Sequence, residues 1–184
     1  LARFDPVTGD MTLIGTGFTT GGYSSGISAF DAAHQIFYLV ANVFGGSDAA
    51  LYRVNAATGA VIGSATLNTA IPELGLTPNF LAYDPVSAQV LAIVNLPPNK
   101  VLASINPTTG ALAALSAPMA ATGYSSGLSD FDEATGIFYF AANEATNTTS
   151  TLFRVEADGT VLPSHAFTSS NPDITPGPQF LVVP

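Results

Sequence analysis

Leu51-Tyr-Arg-Val-Asn-Ala-Ala-Thr-Gly59 reads as a short alternating strand that runs into a turn closed by glycine. An Asx side chain at the fifth position can accept backbone N–H bonds two residues on, and glycine supplies the positive φ that ends the turn. The unit is not alone. It recurs as Leu1-Ala-Arg-Phe-Asp-Pro-Val-Thr-Gly9, Val101-Leu-Ala-Ser-Ile-Asn-Pro-Thr-Thr-Gly110 and Leu152-Phe-Arg-Val-Glu-Ala-Asp-Gly159. An apolar stretch follows each turn, at residues 11–14, 60–62, 111–115 and 160–162. Strand, tight turn and strand make a hairpin.

A second hairpin alternates with the first. Ile27-Ser-Ala-Phe-Asp31, Phe80-Leu-Ala-Tyr-Asp84 and Leu128-Ser-Asp-Phe-Asp132 each lead through a turn into an apolar run, at residues 35–41, 89–94 and 137–142. Near-continuous apolar runs of this length predict strands covered on both faces. With the strands of a unit named a to d, the chain reads c-d, three full a-b-c-d sets, and a last a strand at 179–183. The expected fold is therefore all-β: a β-propeller-like array of four four-stranded antiparallel units, incomplete or closed between its termini. One domain spans 1–184, with repeats at about 1–50, 51–100, 101–151 and 152–184.

The units alternate in kind. Gly22-Tyr-Ser-Ser-Gly-Ile-Ser-Ala-Phe-Asp31 returns as Gly123-Tyr-Ser-Ser-Gly-Leu-Ser-Asp-Phe-Asp132. Pro72-Glu-Leu and Pro78-Asn-Phe-Leu81 return as Pro172-Asp-Ile and Pro178-Gln-Phe-Leu181. Both returns come roughly 100 residues later, so a two-unit block is duplicated in the order A-B-A-B.

These strand-and-turn units resemble the blade repeats of secreted bacterial-type β-propellers, including the quinoprotein-like group. The resemblance covers all four units but rests on a turn, so it implies a fold rather than an activity. The tryptophan docking motifs of quinoprotein dehydrogenases are missing from a chain without Trp, which counts against pyrroloquinoline quinone. No cofactor is expected.

Composition narrows the partners. Four cations face thirteen acids, a net charge of −9, which repels nucleic acid and anionic membrane surfaces. Apolar residues make up 47% and charged residues 9%, which argues for a folded chain. No apolar run approaches the ~18 residues of a membrane-spanning helix, so membrane insertion is not expected. No signal peptide is visible at Leu1, so any targeting segment has been removed or lies outside this stretch. The absence of cysteine rules out disulfides and thiolate metal sites. A Ser/Thr/Ala/Gly-rich, lysine-poor composition points to an extracellular or cell-surface setting, where Asn147-Thr-Thr149 would be a glycosylation sequon.

In this reading the a–b and c–d turns share one end of the array, while the longer d–a and b–c connections share the other. Binding residues gather on loops held by a rigid scaffold, so the long-loop end is the expected recognition surface. Tyr23, Ser24 and Ser25, with Tyr124, Ser125 and Ser126, could offer rings and hydroxyls to a sugar or peptide; alternatively the segments shape the start of strand a. Glu73 and Asp173 are either ligand contacts or solvated loop acids. Asn42, Asn95 and Asn143 read as strand-end caps. Arg3, Arg53 and Arg154 share one repeat slot, with Ser104 in the fourth. They are expected to pair with Asp31, Asp132 or another neighbouring acid, against the alternative of an arginine ring gripping an anion.

Catalytic patterns are sparse. His34 and His165 fall in different units, and no His-Glu-x-x-His spacing or nucleophile elbow is present. Asp130-Phe-Asp-Glu133 is the densest acid cluster, an oxygen-ligand candidate for Ca²⁺, but its counterpart Ala29-Phe-Asp-Ala32 lacks two of the acids. No metal site is assigned. The leading expectation is a non-enzymatic secreted or cell-surface module that binds a protein or carbohydrate partner, or self-associates, through its long-loop end. The alternatives are a hydrolase or lyase with carboxylates near the propeller axis, and a structural subunit of an extracellular assembly.

Overall fold

The computed structural model describes residues 1–144 and 150–168, with the side chains of 23–26 and 123–127 outside that description. The chain opens on a hairpin, β1 (Ala2–Phe4) and β2 (Met11–Leu13), paired as Ala2 to Leu13 and Phe4 to Met11. A four-stranded antiparallel sheet follows, made in chain order of β3 (Gly22–Asp31), β4 (Ile36–Asn42), β5 (Ala49–Asn55) and β6 (Val61–Thr66). The short β7 (Asn68–Thr69) then leaves this sheet and joins the next one. That second sheet holds β8 (Phe80–Asp84), β9 (Gln89–Leu96), β10 (Asn99–Ile105) and β11 (Ala111–Ala114), with β7 parallel along the outer edge of β11. The third sheet runs β12 (Ala121–Asp132), β13 (Ile137–Glu144), β14 (Ser150–Glu156) and β15 (Val161–Ala166). Among the described residues there is no helix, hence none long and apolar enough to cross a membrane.

Three full a-b-c-d sets preceded by a c-d hairpin is the strand order expected from the repeats. The last a strand, at 179–183, lies outside the described residues.

The sheets pack in chain order, and the middle one is covered on both faces. Along β9, Val90, Ala92 and Val94 join a core shared with Ile27, Tyr38, Val40 and Leu51 of the first sheet. Leu91 and Ile93, pointing the other way, join a core with Phe138, Phe140, Phe153 and Val155 of the third. Strand residues alternate faces, so a strand between two cores needs apolar residues at every position. This is the physical reason for the unbroken run Val90–Val94, all 0–1% exposed. Phe140 stacks on Phe153 with ring centres 5.1 Å apart and meets Phe80 of the middle sheet at 6.1 Å. Such ring pairs add roughly 0.5–1.5 kcal/mol beyond the area they bury.

The first strands β3, β8 and β12 also contact one another, so the sheets converge on their inner edges. At the outer rim the repeat glycine has a second role. A Cβ on Gly110 would overlap the carbonyl of Thr66 at the end of β6. Gly59 and Gly159 crowd Ile14 and Leu115 of the units before them in the same way, whereas Gly9 has nothing within 4 Å. Asn68 ties this contact down: its side chain donates to Thr109 O at 2.9 Å, and its backbone N–H donates to Gly110 O at 3.0 Å. The turn motif is thus also the place where each unit touches the preceding one.

Candidate functional site

The a–b and c–d turns spend their polar side chains on themselves. Asn55 Oδ1 accepts from Ala57 N at 3.0 Å and Thr58 N at 2.9 Å, and Asn106 does the same for Thr108 and Thr109. Asp84, 3% exposed, accepts from the Val86 and Ser87 backbone and from the Ser87 hydroxyl. Asp132 is held below the usual carboxylate range, first by the Thr135 hydroxyl at 2.6 Å and then by the N–H groups of Ala134 and Thr135.

Asp31 does more. It is 2% exposed at the end of β3 and accepts from His34 N at 3.0 Å and from the His34 Nδ1 position at 2.8 Å. The Tyr83 hydroxyl of the middle sheet donates to it as well. Burial alone would raise this carboxyl, but the donors outweigh it and hold it low. Burial and the Asp31 carboxylate in turn push the Tyr83 phenol up to about 12. Tyr83 stacks on Tyr38 at 5.7 Å, which closes a polar and aromatic joint between the first two sheets.

The arginines behave differently from expectation. Arg154 donates through Nε and Nη2 to Pro163 O, at 3.2 and 2.9 Å, and lies 2.9 Å from His165 Nε2. Its partners are therefore on β15, not Asp132. Arg53 sits between β4 and β6, with Nε buried and lacking a hydrogen-bond partner. Asp31, proposed for it on sequence grounds, is taken by His34 and Tyr83. His34 and Asp31 form an ion pair when the imidazole is protonated.

The long-loop end is organised by a residue that the sequence patterns passed over. Lys100, the single lysine, opens β10 opposite Asn95 of β9 and is 3% exposed. Its Nζ donates to Asn95 Oδ1 and to Asn79 Oδ1, both at 2.7 Å. Burial draws its pKa down to about 8. Asn95 thus does more than cap a strand: through Lys100 it joins the b–c hairpin to the segment leading into β8. Its counterparts Asn42 and Asn143 face Ala49 and Ser150 in the register, so neither has a lysine to hold. The available signal was compositional, one lysine placed directly after Pro97-Pro98-Asn99 at a strand start. Two residues before Asn79 on the same connection, Thr77 lines a depression of about 230 Å³ together with Gly22, Ile27, Val40, Asn42 and Ala49.

The other sequence-based candidates divide. Tyr23 to Ser25 and Tyr124 to Ser126 fall inside β3 and β12, where the ladder register shifts between Tyr23 and Ser28 and between Tyr124 and Ser129. They open the inner strands at the long-loop end rather than forming free loops, and their side chains lie outside the described residues. Glu73 is exposed on the connection before β8. Asp173 and the sequon residue Asn147 lie outside the described residues.

At the opposite, short-turn end, β3, β8 and β12 enclose a cleft of about 430 Å³. Ser28, Phe30, Tyr83, Ser129, Phe131 and the acids Asp130 and Glu133 line it. Among the described residues no three His, Cys, Asp or Glu side chains gather as a metal site would require. Asp132 of the acid cluster turns into its own turn, while Asp130 and Glu133 face the cleft.

No family model matches the chain, and no curated protein is similar to it at a significant level. Among solved structures, the crystal structure of TolB from Acinetobacter baumannii is similar, with a TM-score of 0.57 and 12% identity over 92% of this chain. TolB is a β-propeller-type protein. The fold is propeller-like. At that identity the likeness carries architecture alone, and the chain spans 38% of the TolB chain's length. In a propeller-like fold the convergence of β3, β8 and β12 is the convergence of inner blade strands, and the cleft between them lies where such strands meet.

Proposed function

We propose that this chain is a non-enzymatic binding module, secreted or displayed at the cell surface, with four four-stranded units arranged about an axis. Its long-loop end presents a preformed surface to a protein or carbohydrate partner. The observation that carries the reading is the Lys100 clamp: one buried ammonium joins Asn79 and Asn95 at 2.7 Å each and fixes the connection into β8, whose Thr77 lines an open depression. A surface held this way loses little conformational freedom on binding. The turn acids support binding over hydrolysis, because Asp31, Asp84 and Asp132 are engaged by their own turns. Glycosylation at Asn147 and self-association through the same end belong to this proposal.

A glycan and peptide array, followed by backbone NMR mapping of the best ligand, tests it. The expected shifts centre on Gly22, Asn42 and Thr77, and Thr77→Trp, which fills the depression, abolishes binding. Ligands that map elsewhere, or a Thr77→Trp variant that binds as well as the parent, would overturn the assignment. Turnover of an arrayed glycan would establish the hydrolase alternative instead.

A further inference from the structure

The short-turn end holds the larger of the two clefts described between the sheets, and its chemistry is specific. We infer that the cleft between β3, β8 and β12 binds the cationic head of a lysine or arginine side chain presented by a polypeptide partner. At about 430 Å³ it lies in the lower part of the range for ligand pockets, roughly 300–1,000 Å³. That is ample for one long side chain and too small for a folded element.

Three kinds of group line it. Two carboxylates, the half-buried Asp130 and the exposed Glu133, stand on the β12 side. The hydroxyls of Ser28 and Ser129 can accept from N–H donors. Three rings, Phe30, Tyr83 and Phe131, supply faces for an aliphatic stem or for cation–π contact; Phe30 is 43% exposed, unusual for a phenylalanine in an inner strand. No basic residue contributes to the lining. The four cations of the chain are placed elsewhere: Lys100 at the long-loop end, Arg3 on the first hairpin, Arg53 and Arg154 on third strands of their sheets. With a net charge of −9 behind it, the cleft repels anions and attracts cations. A neutral sugar offers no charge to the acids of the lining, which disfavours it as the occupant. A stem-and-head cation satisfies the rings and the acids together.

The test is calorimetric and NMR titration of the intact chain with an N-acetylated, C-amidated Gly-Lys-Gly-Lys-Gly peptide, its lysine-acetylated counterpart, and cadaverine. The expected result is binding of the lysine peptide with shifts at Ser28, Ser129 and Phe131, at least tenfold weaker binding of the acetylated peptide, and a marked loss in 0.5 M salt. Glu133→Gln and Asp130→Asn each weaken binding about three- to tenfold. Ser129→Lys, which tethers a cation in the cleft, abolishes it, with unchanged circular dichroism as the folding check. Equal binding of the acetylated peptide, or a Ser129→Lys variant that binds normally, overturns the inference. Cadaverine binding as tightly as the peptide would overturn the polypeptide source and leave a free diamine as the ligand. Thr77→Trp leaves these titrations unchanged, so failure here and failure of the long-loop reading are distinguishable.

Discussion

If the repeat glycine is where one unit rests on the one before it, then the four turn glycines are not equivalent. Gly110→Ala and Gly9→Ala form the decisive pair. Both residues have positive φ, +73° and +81°, so alanine at either position meets the left-handed penalty of about 1 kcal/mol, partly offset by lower entropy of the unfolded chain. At Gly9 nothing stands within 4 Å and the cost ends there. At Gly110 the added methyl runs into the Thr66 carbonyl, which is backbone at the end of β6 and cannot swing aside. Relieving such an overlap displaces β6 from β11 and puts the Asn68 hydrogen bonds under strain, a further ~1–3 kcal/mol. Gly110→Ala should therefore cost ~2–4 kcal/mol and Gly9→Ala ~1 kcal/mol or less. Urea unfolding, followed by circular dichroism and by emission from the six tyrosines of this tryptophan-free chain, gives both values. Equal losses at the two positions would refute the reasoning, because they would mean the glycine serves its own turn alone.

Four further outcomes follow from the same geometry. Asp31→Asn turns one of the two oxygens that serve His34 and Tyr83 into a donor NH2 at a site 2% exposed and should cost about 2 kcal/mol in urea unfolding, where a loss under about 0.5 would count against the joint. Stability should rise with pH from about 8 toward 10, because folded Lys100 gives up its proton near 8 while the unfolded chain holds one to about 10.5. Above about 10 it should fall, since folded Tyr83 keeps its proton to about 12 and the unfolded phenol does not; Lys100→Met removes the rise, and a profile flat from 8 to 10 in the parent would contradict the clamp. Gln35 and Ala88 occupy the a–b turn position that Gly136 fills in the third sheet, with φ of 55° and 54°, so Ala88→Gly should be neutral or stabilising by up to about 1 kcal/mol in thermal unfolding. Gly63→Ala would place a methyl 2.6 Å from Arg53 Nη2, the far end of a flexible side chain, and should cost less than about 1 kcal/mol by the same assay.

The turns were legible because their chemistry is local. Asn55 and Asn106 each find their donors two and three residues ahead, so spacing along the chain is spacing in space. The strands were legible for a related reason: burial on two faces erases alternation, and Val90–Val94 carries that erasure in its composition. The order of strands follows, because consecutive antiparallel strands joined by short turns have few ways to pair. What could not be read was any contact whose partner is set by packing. Arg154 looked for an acid at its own repeat position and found a carbonyl at Pro163, since the register of β15 brings that oxygen beside it. Asp31 looked like an arginine partner, but it is reached first by a histidine three residues away and then by a tyrosine from another sheet.

The candidate sites divide along the same line, and the division bears on how repeats acquire function. Duplicating a two-unit block copies turns, strands and rim contacts, and with them the scaffold. It does not copy the acids Asp130 and Glu133, which have Ala29 and Ala32 in the first block, and Lys100 differs from Ala49 and Ser150, the residues at its register position in the neighbouring units. Both features therefore break the symmetry of the array, one at each end of the inner strands. A search for repetition finds the scaffold and passes over them. The residues that differ between copies, once placed on a rigid repeated frame, are those with the freedom to carry recognition. The clamp and the cleft are such residues, and each stands or falls by a substitution that restores its counterpart: Lys100→Ala at one end, Asp130→Ala with Glu133→Ala at the other. If both restored chains fold as the parent does and bind as it does, recognition lies in the repeated frame itself, and the argument from broken symmetry fails.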